Sequence, residues 1–282
     1  RALGNSTVPL VFLAVSAILN IAWDLLFVAV FHWGIAGAAY ATIFAQYVSG
    51  IGILLYVLFR CRSLFPERKD LCFDGGILKE IAGLSSLTCL QQSVMNFGIL
   101  MVQGLVNSFG ATTMAAFAAA VKIDTFAYLP VQDFGNAYST FIAQNYGAGN
   151  KERIHRGTKE SFAISTAFSL VISALVFAFA APLMQIFVSS AETAVIASGI
   201  RYLRIEGAFY FGIGCLFLLY GYYRAIKRAE MSVVLTVISL GIRVLLAYVL
   251  SATFLGETGI WMAIPIGWIL ADLTGLLYMR KT

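Results

Sequence analysis

Apolar residues run almost unbroken through eight stretches of the chain, roughly 9–30, 35–59, 81–108, 113–143, 160–188, 197–222, 232–254 and 259–279, separated by short polar or Gly-rich corners. About 20 apolar residues are needed for a helix to cross the hydrocarbon core of a bilayer. Each stretch is long enough, so the pattern predicts eight transmembrane helices. None alternates with period two, which argues against the strands of a membrane barrel. The first stretch is too long for a secretory leader, carries Asn20 and Asp24, and is followed by seven more. The expected fold class is all-α, a polytopic transmembrane helix bundle.

The polar positions inside these spans are not scattered. Ser16, Asn20 and Asp24 recur every four residues on one face of span one, and Thr42, Gln46 and Ser49 share a face of span two. A carboxylate at membrane depth costs about 2.5–3.5 kcal/mol on insertion scales, so Asp24 is expected to face protein or a water-filled cavity. Two readings follow: a hydrogen-bonded packing group, or a site for an ion or proton. Span three carries Thr88, Gln92, Asn96, Gln103 and Asn107 in one stripe. Span four carries Lys122, Asp133, Asn136, Thr140 and Gln144 in another, with Asp124 pointing nearly the opposite way. Lys122 and Asp124 stand two apart and cannot pair on one helix, so each needs partners from other spans. Pro130 is expected to break span four near its middle. Glu206 with Tyr210 on span six, Ser232, Thr236, Ser239 and Arg243 on span seven, and Asp272 on span eight continue the pattern. Ser161, Ser165, Ser169 and Ser173 on span five read as small residues that let helices approach. Stripes of this length imply a wet central cavity, with Gln92, Asn96, Gln103, Lys122, Asp124, Glu206 and Arg243 as its candidate substrate-contacting residues.

The opening pair of spans returns at the far end. With an offset of 223 before the corner and 222 after it, Arg1 falls on Arg224, Ser16 on Ser239, Gly34 and Gly37 on Gly256 and Gly259, Ala41 on Ala263, and Leu54-Leu55-Tyr56 on Leu276-Leu277-Tyr278. This is an internal duplication whose second copy is preceded by four further spans that the first copy lacks. The chain therefore reads as the C-terminal two-thirds of a longer protein, eight spans of twelve. The expected organisation is 1–60, the last two helices of an N-terminal bundle; 61–80, a cytoplasmic linker holding Pro66; and 81–282, a complete C-terminal six-helix bundle.

Composition supports the class: 60% hydrophobic, 12% charged and a mean hydropathy of +0.85. The net charge of +5 would admit a nucleic-acid partner, but its placement argues against one. Fifteen of the nineteen Lys and Arg residues sit at one set of span ends, including Arg60, Arg62, Arg68, Lys69, Lys79, Lys151, Arg153, Arg156, Lys159, Arg224, Lys227 and Arg228. The opposite corners carry none. That asymmetry predicts an integral protein of the cytoplasmic membrane with both ends of this chain in the cytoplasm. Arg201 and Arg204 fall at the other side and break the rule. Phe31, Trp33, Phe254 and Trp261 at one side, and Tyr222, Tyr223 and Tyr278 at the other, are expected to form aromatic belts. Cys61, Cys72, Cys89 and Cys215 have no metal-type spacing, and no catalytic constellation is present, so neither an enzyme nor a cofactor is expected.

Thr140-Phe141-Ile142-Ala143-Gln144-Asn145-Tyr146-Gly147-Ala148-Gly149-Asn150 resembles the G-Q-N-x-G-A-G-N signature of the multidrug and toxic compound extrusion (MATE) transporters, with Ala143 in place of Gly. Arg1-Ala2-Leu3-Gly4-Asn5-Ser6-Thr7-Val8-Pro9 is similar to that family's entry to its fifth helix, and Asn20 to Asp24 to its N-x-x-x-D continuation. The resemblance covers helices five to twelve. It implies two six-helix bundles around a central cavity, working as a monomer that exports small amphipathic or cationic substrates in exchange for H+ or Na+ by alternating access. It carries the coupling-ion role onto Asp24, Asn20 and Thr42. Members that use helices seven and ten for coupling have carboxylates where this chain has Ser93 and Ile213, leaving Glu206 or Asp124 as substitutes. Lys122 and Arg243 keep open a flippase for a lipid-linked saccharide. A non-transporting membrane scaffold is the third reading.

Overall fold

Packed against lipid, a helix gains nothing by hiding apolar surface from water, so association depends on close backbone approach and interhelical hydrogen bonds. The structure, a computed structural model, describes residues 5–61 and 73–280 and is helical throughout apart from short corners. Its contacts divide the chain into two compact units, Arg1–Gly75 and Gly76–Thr282. Arg1 to Gly4, Arg62, Pro66, Arg68, Lys69, Cys72, Lys281 and most of the expected linker lie outside the described residues.

The first unit is a hairpin of α1 (Thr7–Asp24), a π-helical turn (Leu25–Val30) and α2 (Gly34–Arg60). The buried residues of α2 are Gly37, Ala41, Ala45 and Ser49, one small residue per turn, and α1 lies along them. Ser16 Oγ donates to the Ala45 carbonyl at 3.1 Å and Ser49 Oγ to the Phe12 carbonyl at 3.2 Å.

The second unit contains α3 (Gly75–Ser108), α4 (Ala111–Gly147), α5 (Lys151–Phe187), α6 (Thr193–Gly207), α7 (Tyr210–Ala225), α8 (Ala229–Ser251) and α9 (Glu257–Met279). Here α8 and α9 repeat the hairpin of α1 and α2. Gly259, Ala263, Gly267 and Ala271, all buried, stand where the first copy has Gly37, Ala41, Ala45 and Ser49. The contacts match as well as the residues. Gly37 meets Phe27, and Gly259 meets Leu250, the residue one offset further on. Ala45 receives the Ser16 hydroxyl, while a Cβ on Gly267 would stand 2.3 Å from the Ser239 carbonyl oxygen. Even the corner is shared: Gly34 and Gly256 hold φ of +57° and +53°, the left-handed region glycine adopts freely. The internal duplication is thus a duplicated helix–helix contact.

Elsewhere in the second unit α7 packs against α4, α5, α8 and α9. Gly135 of α4 and Gly221 of α7 bring two backbones together, where Ser139 Oγ donates to the Gly221 carbonyl at 2.9 Å. Ser165, Ser169 and Ser173 of α5 are buried, the first two against Gly214 of α7, the packing role expected of them.

Three expectations change. Span four is not broken: α4 runs through Pro130 as one helix, because the ring lies on an exposed face while Ala127 and Val131 beside it are buried and hold the axis. Span six is broken instead, into α6 and α7 bent by 52°, at Ala208 and Phe209 just after Glu206 and Gly207. Trp261 and Tyr223 are not belt residues. Trp261 is fully buried, stacked on Phe117 at 5.6 Å and edge-on to Tyr202 at 4.9 Å. Tyr223 is buried with its hydroxyl on the Gly275 carbonyl at 2.6 Å.

Two helix ends explain the signature segment. At the end of α4, Gly149 takes φ +68°, Asn150 N–H bonds back to Asn145 O and Gly149 N–H to Tyr146 O, closing a Schellman turn. Asn150 then caps α5, its side chain accepting from Arg153 N–H at 3.0 Å. Gly149-Asn150 is therefore a helix stop followed at once by a helix start.

Gly267→Ala is expected to destabilise the second unit by on the order of 1–3 kcal/mol, since the new methyl meets backbone rather than a movable side chain. Gly241→Ala, which meets only Val237 Cγ1 at 4.0 Å, should not destabilise it. Thermal unfolding of the two purified variants in detergent checks the difference.

Candidate ion and substrate sites

In the first unit α1 and α2 bring Asn20 and Thr42 together. Asn20 Nδ2 donates to Thr42 Oγ1 at 3.4 Å, and Thr42 Oγ1 donates to the Ala38 carbonyl at 3.0 Å. Asp24 lies one turn beyond Asn20 on the same helix, as the last α-helical residue before the π-helical turn. Its Oδ1 is buried and has no hydrogen-bond partner among the described residues. The π-turn, with Phe31 N–H reaching Leu26 O, widens the helix where the carboxylate emerges. Such turns are frequent at functional sites. Trp23, Phe27, Trp33 and Phe44 form an aromatic cluster around the same end of the hairpin. The side chain of Ser16, third member of the stripe, is used in helix packing, as noted above.

In the second unit the expected cavity residues sort into three groups. Gln92, Asn96 and Gln103 form an exposed stripe on α3, whose buried face is Gln91, Gly98, Val102 and Val106. Lys122 is exposed in a groove of about 580 Å³, with its Nζ 6.0 Å from the Phe187 ring and Glu192 on the same wall. Asp124, Glu206 and Arg243 belong together elsewhere. Asp124 is 3% and Glu206 5% exposed, so these two are interior groups rather than cavity walls. Tyr210 donates its hydroxyl to Asp124 Oδ1, while Tyr202 and Glu206 also contact the carboxyl and Arg243 acts on both acids electrostatically. Asp124 Oδ2, Glu206 Oε2 and Arg243 Nε are buried without a hydrogen-bond partner among the described residues. The break between α6 and α7 lets Glu206 and Tyr210, on separate helix segments, converge on α4.

A fourth feature joins residues far apart in the chain. Glu257, the first residue of α9, accepts from Thr113 Oγ1 at 2.9 Å and Ser198 Oγ at 3.1 Å and pairs with Arg201 at 3.2 Å. It ties the ends of α4, α6 and α9. Arg201, at the unexpected side for a cation, is there because its carboxylate is; Arg204 rests on the Phe177 ring at 5.2 Å. An acidic residue in the first turn of α9, opposite an otherwise unexplained arginine, was the available signal. Among the described residues no group of three or more His, Cys, Asp and Glu side chains is placed to hold a metal ion.

These features define a duplicated, polytopic helical membrane protein with buried carboxylates in its second unit. Residues 87–249 match the MatE family, and the chain belongs to it. Among curated relatives, the probable multidrug resistance protein YpnP of Bacillus subtilis is 32% identical over 99% of this chain and 62% of its own length. The probable multidrug resistance protein NorM of Thermotoga maritima is 27% identical over 93% of this chain and 57% of its own. The crystal structure of the Vibrio cholerae MATE transporter VcmN, in a mutant form, superposes with a TM-score of 0.92 at 23% identity, covering 100% of this chain and 63% of that one. The chain thus spans about three-fifths of the length of these proteins.

Glu257→Ala removes the acceptor for three groups and is expected to cost about 2 kcal/mol or more, given about 0.5–1.5 kcal/mol per hydrogen bond. Arg201→Ala, whose side chain is 52% exposed, should cost less than half as much. Detergent melting curves of the two variants measure the ratio.

Proposed function

We propose that the protein is a secondary antiporter that exports amphipathic or cationic compounds in exchange for H+ or Na+, with Asp24, Asn20 and Thr42 as its coupling-ion site. The observation that carries this reading is the buried Asp24 oxygen without a partner, at a π-turn, beside the Asn20–Thr42 pair. The duplication strengthens it. At the corresponding places in α8 and α9 stand Arg243, Ala247 and Ile264, and that hairpin packs through the same small-residue contacts. The helix pair therefore needs none of the three polar residues in order to pack. A group kept at a cost in the membrane and unnecessary for packing is a functional group.

Binding of a proton or sodium ion at Asp24 would shift the balance between two states of different access. Substrate would bias the same equilibrium, because coupling between two ligands is reciprocal. The exposed Gln92, Asn96 and Gln103 of α3 and the exposed Lys122 of α4 are the proposed substrate-contacting residues, with Asp124, Glu206 and Arg243 acting from the interior behind them. The proposed setting is a monomer in the cytoplasmic membrane with the cation-rich span ends inside. The names of the Bacillus and Thermotoga relatives support efflux of drug-like compounds.

Asp24→Asn in the full-length protein should abolish ion-driven efflux while leaving expression and melting temperature at wild-type values. Dye-efflux assays in energised vesicles, with an imposed proton or sodium gradient, measure it; unchanged efflux refutes the assignment.

A further inference from the structure

The two Schellman turns of the second unit lie beside one cavity of about 460 Å³ at its cation-rich end. The first turn ends α4 and starts α5, presenting Tyr146, Lys151 and His155. The second ends α7, where Lys227 takes φ +61°, Arg228 N–H reaches Tyr223 O and Lys227 N–H reaches Arg224 O; it presents Tyr222 and Arg228. Lys151, His155 and Arg228 face the cavity, and among the described residues no carboxylate lines it. Among the described residues none of the three has an ion-pair partner. The neighbouring cations behave differently. Lys227 is engaged by Glu80 at 2.5 Å, whose carboxylate holds the ammonium above the ordinary lysine range, and Arg156 is engaged by Glu160 at 2.8 Å.

Arg228 is also preset. Its Nη1 donates to Tyr278 Oη at 2.6 Å and its guanidinium lies 5.8 Å from that ring. Held there, the guanidinium offers its remaining donors as a fork, the arrangement suited to phosphate oxygens. Ile154, Ile226 and Met279 line the same cavity. Basic and apolar side chains around one cavity, at the interface end of membrane helices, are the chemistry of an anionic headgroup site.

We propose that this cavity binds a phosphate group, presented either by an anionic phospholipid headgroup or by a soluble phosphate, through Arg228, Lys151 and His155. The site shares no residue with the Asp24 group or with the buried acids, so it does not depend on the antiport reading. A bound phosphate would join the start of α5 to the turn between α7 and α8, and so stiffen one end of the unit.

The test uses purified full-length protein in three forms: wild type, the double variant Lys151→Ala with Arg228→Ala, and Arg153→Ala as a charge control on the same helix that does not line the cavity. Native mass spectrometry and melting are followed with phosphatidylglycerol, with phosphatidylcholine, and with inorganic phosphate against chloride at equal ionic strength. Wild type and Arg153→Ala should retain phosphatidylglycerol over phosphatidylcholine, and the double variant should retain it about thirtyfold less, as expected for two lost cations at a membrane surface. If inorganic phosphate alone stabilises wild type and not the double variant, the ligand is the soluble anion. The proposal is overturned if all three forms behave alike in every arm, or if Arg153→Ala loses as much as the double variant. Wild-type melting of the ligand-free double variant separates loss of binding from loss of fold.

Discussion

Close approach of helix backbones at small residues is the interaction on which this architecture rests. Where lipid surrounds the helices there is little hydrophobic gain from pairing them, and contact must come from van der Waals packing and from hydrogen bonds to exposed carbonyls. Gly37, Ala41, Ala45 and Ser49 in one copy and Gly259, Ala263, Gly267 and Ala271 in the other supply that surface at one residue per turn. Gly135 and Gly221 repeat the device between α4 and α7. The polar groups are tolerable only because these contacts fix where each helix lies.

Duplication makes it possible to separate packing from chemistry within one molecule. Both hairpins keep the left-handed corner glycine, the serine partway along the first helix and the small-residue row. They differ at Asn20, Asp24 and Thr42, whose places are taken by Arg243, Ala247 and Ile264. Arg243 acts electrostatically on the buried Asp124 and Glu206, whereas Asn20 bonds Thr42. One scaffold thus carries two different sets of polar groups.

Much of this was legible in the sequence because membrane helices announce themselves by length and by punished polar residues. The spans, the repeat and the Asn20–Thr42 face needed only periodicity and the cost of burying polarity. Three things were not legible. The break after Glu206 has no proline, and Gly207 alone did not mark it, whereas Pro130, the stronger local signal, is absorbed by a helix held on both sides of it. The π-turn after Asp24 is a backbone adjustment with no residue signature in Leu25–Val30. The Glu257 node joins residues 144, 59 and 56 positions apart, a distance no local pattern spans. Gln92, on a stripe, and Asp124, off one, were both expected at the cavity, yet one is exposed and the other buried, because a period fixes a face but not what lies against it.

The separation of scaffold from coupling chemistry can be measured directly by giving the first hairpin the residues of the second, Asp24→Ala with Thr42→Ile, in the full-length protein. The account predicts melting at the wild-type temperature together with complete loss of ion-coupled efflux. A variant that unfolds, or that still couples efflux to an ion gradient, would contradict it.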